Sequence, residues 1–387
     1  MIKKSFLFIL LLTSFALHVS AQGIGQGTRI DLTSKLGLNN GTTGQFAQLF
    51  IPDYYQAPID GKFDLVFHLH SASWATEDQV YKANANAILF NIHLGGFSSS
   101  YQNYFVNQSY FQNILDTIIA ILDRNEIISN PQIKHLIVTS FSAGYVGVRE
   151  ILKNSAYYNK INILTLADGL HCNSDSATRE IQMQDFLRFA KDARDKLKIM
   201  FITHSSILTS GYDNTTQTAN YLISGIGSLR AAYSGVDEIG TQYSRCDTGN
   251  FHLKGYYGDT ANDHLKHLYA MNIMLESTLD ILYNQTTGSK DAEPSNYNFT
   301  LEQNYPNPFN PSTKISWQSP VSSRQSLKVY DVLGNEVATL VDEYKPAGNY
   351  EVEFKSSVGS RQLASGLYFY SLKSGEFSET RKMILTK

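Results

Sequence analysis

Continuous apolar runs constrain this chain more than any other feature. The stretches "HLIVTS" (135–140) and "KIMFIT" (198–203) have no polar face. A strand built from either must be covered on both sides, as in a parallel sheet flanked by helices. With these two included, strands are expected near 45–51, 63–70, 87–93, 134–139, 161–167, 198–203 and 251–257. Helical stretches fall between them, at 110–125, 144–153, 179–196 and 264–283. The last carries a broad apolar face of Leu265, Leu268, Tyr269, Met271, Ile273 and Leu275, with Asn262 or Asp263 as its cap. Alternation of this kind predicts an α/β fold built on a doubly wound, mostly parallel sheet. In such sheets ligands sit at the carboxyl ends of the strands, so those ends are where chemistry is sought.

Composition sets the outer bounds. With 42% hydrophobic and 17% charged residues, the 387-residue chain has a folded composition. A formal net charge of −3 and the lack of any Lys/Arg-rich block give no reason to expect a nucleic-acid partner. Residues 1–21 read as a signal peptide. Lys3 and Lys4 precede an apolar run from Phe6 to Leu12, and Val19-Ser20-Ala21 is a small-residue cleavage site that leaves Gln22 first. That run is shorter than the ~20 apolar residues of a membrane span. Residues 22–284 then form the α/β domain, 285–297 ("QTTGSKDAEPSNY") a polar linker, and 298–387 a second domain of short alternating strands. The 2 cysteines, Cys172 and Cys246, allow one disulfide in an exported protein, with two buried thiols as the equal alternative.

The end of the fourth strand reads "SFSAGY". A serine exposed on a tight strand-to-helix turn needs small neighbours two residues before and after it; here these are Ser140 and Gly144, around Ser142. N–H groups at the start of the following helix favour negative charge developing near Ser142. The alternative is an inert serine in a small-residue turn. Element order and this turn together make residues ~45–284 resemble the α/β-hydrolase superfamily, with Ser140 in place of the usual first glycine. The resemblance implies a Ser, acid, His order along the chain and an oxyanion hole.

Three strand ends fill those places. The strand at 161–167 ends on Asp168, a carboxylate held directly by its strand, whereas the competing Asp213 lies further out in its loop. The last strand leads through "GDTAND" to His264, where the superfamily keeps its histidine; His267 is the second choice, and His171, His204 and His252 are more distant ones. Oxyanion N–H groups are expected at Ala143 and, after the strand ending "HLHSASW", at Ser71 or Ala72. His68, inside that strand, reads as structural, and "LGGFSSS" around Gly95-Gly96 as an ordinary loop. A Cys172–Cys246 bridge would pin the acid's loop, and 203–250, rich in tyrosine, reads as a lid or substrate wall. The resulting expectation is a secreted serine hydrolase of the carboxylic-ester type, acting on a small or polymeric acyl substrate with no cofactor and no metal. A non-catalytic surface protein binding glycan or a partner, or a serine peptidase, are the alternatives.

The tail closely resembles the C-terminal sorting domain of the type IX secretion system, most specifically in "QNYPNPFNP" (303–311). The resemblance implies engagement of the type IX machinery after Sec export, and a secreted or cell-surface location. Alternation with the turn Leu333-Gly334-Asn335 predicts a small antiparallel β-sandwich there.

Overall fold

The computed structural model describes residues 25–39, 44–286, 300–319, 323–345, 348–358, 361–374 and 377–386. The expected signal peptide, and the linker from residue 287 on, lie outside the described residues. The chain divides into two units, one ending at Thr278 and the other beginning at Leu279.

The first unit is built on a 10-stranded sheet. Its strands are β1 (Gly27–Asp31), β2 (Phe46–Pro52), β3 (Lys62–Leu69), β4 (Ala87–His93), β5 (Gln132–Phe141), β6 (Ile161–Ala167), β8 (Ile199–His204), β10 (Ala231–Val236), β11 (Thr241–Thr248) and β12 (Phe251–Tyr256). Two short strands, β7 (Cys172–Asn173) and β9 (Tyr212–Asp213), pair only with each other. The spatial order is β1-β2-β4-β3-β5-β6-β8-β12-β11-β10. From β4 through β12 the neighbours are parallel, while β2 runs antiparallel to both β1 and β4. This is the mostly parallel sheet that the apolar runs predict: β5 is buried from His135 to Phe141 and β8 throughout.

The helices are α1 (Ser73–Lys82), α2 (Ser98–Phe105), α3 (Ser109–Arg124), α4 (Tyr145–Leu152), α5 (Ser155–Lys160), α6 (Ser176–Arg194), α7 (Thr215–Gly225), α8 (Ala261–Tyr269) and α9 (Asn272–Thr286). From β3 the chain crosses through α1 to β4 on one side, then returns through α2 and α3 to β5 on the other. With right-handed crossovers this reversal sends successive helices to opposite faces. It also opens a crevice between the carboxyl ends of β3 and β5, the topological switch point.

The segment 203–250, expected as a lid or substrate wall, contributes α7 and the antiparallel pair β10–β11, which extends the sheet beyond β12. Short, half-exposed strands such as "AAYSGV" lack the apolar signature that marked the central strands. The stretch 264–283 is two helices, because Ala270 and Met271, both buried, leave helical geometry and turn the chain. The cap of α8 is Thr260, whose hydroxyl accepts from the Asp263 N–H while the Asp263 carboxylate accepts from the Thr260 N–H.

From Thr300 on, the strands named in the described residues of the second unit pair antiparallel. One sheet joins Thr300–Leu301, Ser312–Ser319 and Gly348–Lys355; another joins Glu336–Lys345, Ser323–Tyr330, Gly366–Ser374 and Phe377–Leu385. Their core holds Phe309, Ile315, Trp317, Leu327, Val329, Phe354, Tyr370, Leu372 and Met383. The turn at Leu333–Asn335 is held by Asp331, whose Oδ1 accepts from the N–H groups of both residues, with Gly334 at φ +83°.

Candidate active site

At the end of β5 the backbone changes from extended to helical within one residue. Phe141 is extended, Ser142 sits at φ +47°, and a single 3₁₀ turn (Ser142–Gly144) leads into α4. A non-glycine residue at positive φ is held only where its surroundings over-determine it. Those surroundings are tight. A Cβ at Gly144 would come within 2.4 Å of the Leu69 carbonyl oxygen, and one at Gly169 within 2.5 Å of the Ser142 oxygen. The turn is thus wedged between the carboxyl ends of β3 and β6. Ser140, two residues before Ser142, is fully buried opposite Leu69 of β3 and Leu166 of β6, and its hydroxyl has no hydrogen-bond partner. A serine fits there in place of glycine. Ser142 itself is half-buried.

The structure brings His264 and Asp168 together. Nδ1 of His264 is 2.8 Å from Asp168 Oδ2, with 2% of the carboxylate side chain exposed against 16% of the imidazole. The other oxygen, Oδ1, accepts from the Ser205 N–H at 2.8 Å and from the Thr215 hydroxyl at 2.9 Å. Asp168 sits at φ +41°, and its own N–H donates to the Thr203 carbonyl. Burial by itself raises a carboxyl pKa; the imidazole charge of His267, then the hydrogen bond and charge of His264 and the Ser205 N–H, outweigh it and hold Asp168 well below the usual range. The His264 ring lies over Phe141, the residue before Ser142, with centroids 4.5 Å apart. The His264 ring therefore stands beside the Ser142 turn with Nδ1 held by the Asp168 carboxylate.

The rival residues are engaged elsewhere. Asp213 forms an ion pair with Arg179 at 2.6 Å and accepts from the Cys172 thiol at 3.6 Å. His267 is buried, with Nδ1 2.9 Å from the Thr203 hydroxyl. His204 is buried between Ser205 and Arg230. His171 bonds the Asp213 carbonyl at 3.1 Å, and His252 pairs with Asp247 near the amino end of β12, away from the site. His68 is buried, with Nδ1 2.7 Å from the Thr139 hydroxyl, and burial pushes its pKa down to about 3. The Cys172–Cys246 bridge is not formed. Both thiols are free and buried, and Cys246 Sγ meets Ser228 Oγ at 3.3 Å, so each sulfur faces an oxygen partner of its own.

Beside the elbow, His70 turns the chain at the end of β3 with φ +78°. Its Nδ1 is 2.9 Å from the Tyr101 hydroxyl, which also accepts from the Leu94 N–H. The Gly95-Gly96 loop joins β4 to α2, whose Tyr101 reaches this turn. Ser71 is buried, and its hydroxyl bonds Thr76 and accepts from Asn91 Nδ2 at 3.1 Å. Ala72, exposed, precedes the first turn of α1. Leu69 and His70 run beside the Ser142–Gly144 turn, since Gly144 abuts both. The residues that sequence reasoning missed are Gly169, Ser205, Thr215 and Tyr101. Only Gly169, a glycine directly after a strand-end carboxylate, carried a signal. Among the described residues, no group of three His, Cys, Asp or Glu is arranged to hold a metal ion.

Residues 303–386 match the family model described as "Secretion system C-terminal sorting domain", and the tail is such a domain, of the type IX system. No curated protein matches the chain. Similar solved structures include a cold-adapted esterase from an Arctic intertidal metagenomic library (11% identity, 61% of this chain and 88% of the other, TM-score 0.33). Others are siderophore hydrolase EstB from Aspergillus nidulans (8%, 67% and 96%, TM-score 0.35) and a soluble variant of monoglyceride lipase from Saccharomyces cerevisiae (10%, 67% and 97%, TM-score 0.32).

Proposed function

We propose that the protein is a secreted serine hydrolase of carboxylic esters. The observation that carries this reading is the His264–Asp168 hydrogen bond of 2.8 Å, formed with the His264 ring centroid 4.5 Å from that of Phe141, the residue before a positive-φ serine. Ser142 Oγ attacks the acyl carbonyl while His264 Nε2 takes its proton. The proton passes to the departing alkoxide, leaving an acyl-enzyme; water, activated by the same nitrogen, then releases the acid and restores the serine. Asp168 holds the imidazole with Nδ1–H toward it and stabilises the imidazolium. The Ala143 N–H and one from Ser71 or Ala72 stabilise the oxyanion. Two features support the last assignment: Ala143 lies in the first helical turn after β5, where N–H groups lack intrahelical partners, and His70, the residue before Ser71, adjoins that turn. The sorting domain supports release from the cell or display on its surface.

The test is a panel of short acyl esters and matched amides offered to wild type and Ser142→Ala, alongside a fluorophosphonate label. Hydrolysis and labelling by wild type alone are expected, with esters preferred. Equal labelling of both proteins refutes Ser142 as nucleophile, and turnover of amides only would make the protein a peptidase.

A further inference from the structure

The proposed acid is braced from outside the parallel part of the sheet. Arg230, immediately before β10, donates from Nη1 to His204 Nε2 at 2.9 Å and to Ser244 Oγ at 2.7 Å, and from Nε to Asn220 Oδ1 at 2.9 Å. A guanidinium only donates, so Nε2 of His204 is the acceptor and its proton resides on Nδ1. That Nδ1–H donates to the Ser205 carbonyl at 2.9 Å, and the Thr216 hydroxyl joins it at 3.1 Å. The same Ser205 donates its N–H to Asp168 Oδ1. The cluster needs room: Ser244, Gly255 and His204 form one row across β11, β12 and β8. A Cβ at Gly255 would stand 2.6 Å from Ser244 Oγ and 2.7 Å from His204 Nε2.

We propose that Arg230 is a positioning residue for the hydrolase site: acting through His204, it fixes Ser205 so that the Ser205 N–H meets Asp168. The added strands β10 and β11 thereby gain a role at the site without touching substrate. Arg230 precedes β10, and Ser244, which accepts from it, lies on β11. The inference rests on the reading of Asp168 as the acid.

Amide exchange at Ser205 is compared in full-length wild type, Arg230→Met and Arg230→Lys, together with ester kinetics in wild-type and Asp168→Asn backgrounds. Arg230→Met is expected to speed exchange at Ser205 about tenfold or more and to lower kcat about tenfold with KM little changed; Arg230→Lys falls between. In the Asp168→Asn background Arg230→Met costs no further kcat, because residues acting through one another are not additive. Unchanged exchange at Ser205, or an equal kcat loss without the Asp168 carboxylate, overturns the proposal. If Arg230→Met does not fold, Arg230→Lys carries the exchange comparison. A wild type without esterase activity, or an undiminished Ser142→Ala, removes the hydrolase reading instead, and exchange at Ser205 still decides whether Arg230 holds that peptide.

Discussion

His264 and Asp168 lie 96 residues apart in the chain and 2.8 Å apart in space, while Asp213 is tied to Arg179. The two carboxylates therefore differ in what their loss does. Asp168→Asn is expected to lower kcat by about 10³–10⁴ with little change in KM, since the imidazole loses its orientation. Asp213→Asn is expected to leave kcat within about threefold and to destabilise the fold by about 1–3 kcal/mol, the Arg179 partner being partly exposed. Steady-state kinetics and urea unfolding of both variants separate these outcomes; the reverse pattern would make Asp213 the acid.

Gly169 faces the Ser142 turn. Gly169→Ala places a methyl group about 2.5 Å from backbone atoms of Ser142, so the elbow must shift. A misplacement of that order costs on the order of 10²-fold in rate. Ser140→Ala is the contrasting variant. It removes a buried hydroxyl that has no partner and is expected to keep activity and gain about 1 kcal/mol of stability. Activity at Gly169→Ala equal to wild type would mean that the elbow geometry is not rate-determining.

Three buried histidines set a pH dependence of stability. Burial pushes His68 and His70 down to about 3 and His204 to about 4, with the charge of Arg230 also lowering His204. In the unfolded chain these imidazoles take up protons below about pH 6.5. Between pH 6.5 and 4 the unfolded state binds more protons, so stability is fully present above pH 6.5 and falls as pH is lowered. Each group contributes about 1.4 kcal/mol per pH unit inside its window. Urea midpoints measured from pH 7.5 to 4.5 are expected to fall steadily below 6.5, and a flat profile would contradict the neutral, buried assignment.

The thiols give a simple readout. Burial, then the Asp213 carboxylate, pushes Cys172 up to about 12, so it is almost wholly thiol at neutral pH. Native protein that has not been reduced is expected to resist alkylation, and denatured unreduced protein to take up two labels per chain. Absence of labelling after denaturation would show a disulfide.

Local sequence determined a great deal of this molecule. Uninterrupted apolar runs identify strands buried on both faces, because no other strand environment accommodates them. Their spacing with helices implies a parallel sheet, and parallel sheets fix the edge at which ligands gather. That reasoning placed Ser142 and Asp168 at strand ends, the family resemblance pointed to His264 beyond the last strand, and the alternating pattern of the tail marked its β-structure. Tertiary structure decided which groups meet. Asp168 and Asp213 look alike as carboxylates after strands; only the folded chain gives one to His264 and the other to Arg179. The positive φ of Ser142, the close approach of Gly169 and the route from Arg230 to Asp168 are likewise products of long-range packing. So is the use of 231–248 as sheet edge, since short half-exposed strands acquire their identity from a partner, not from their own periodicity.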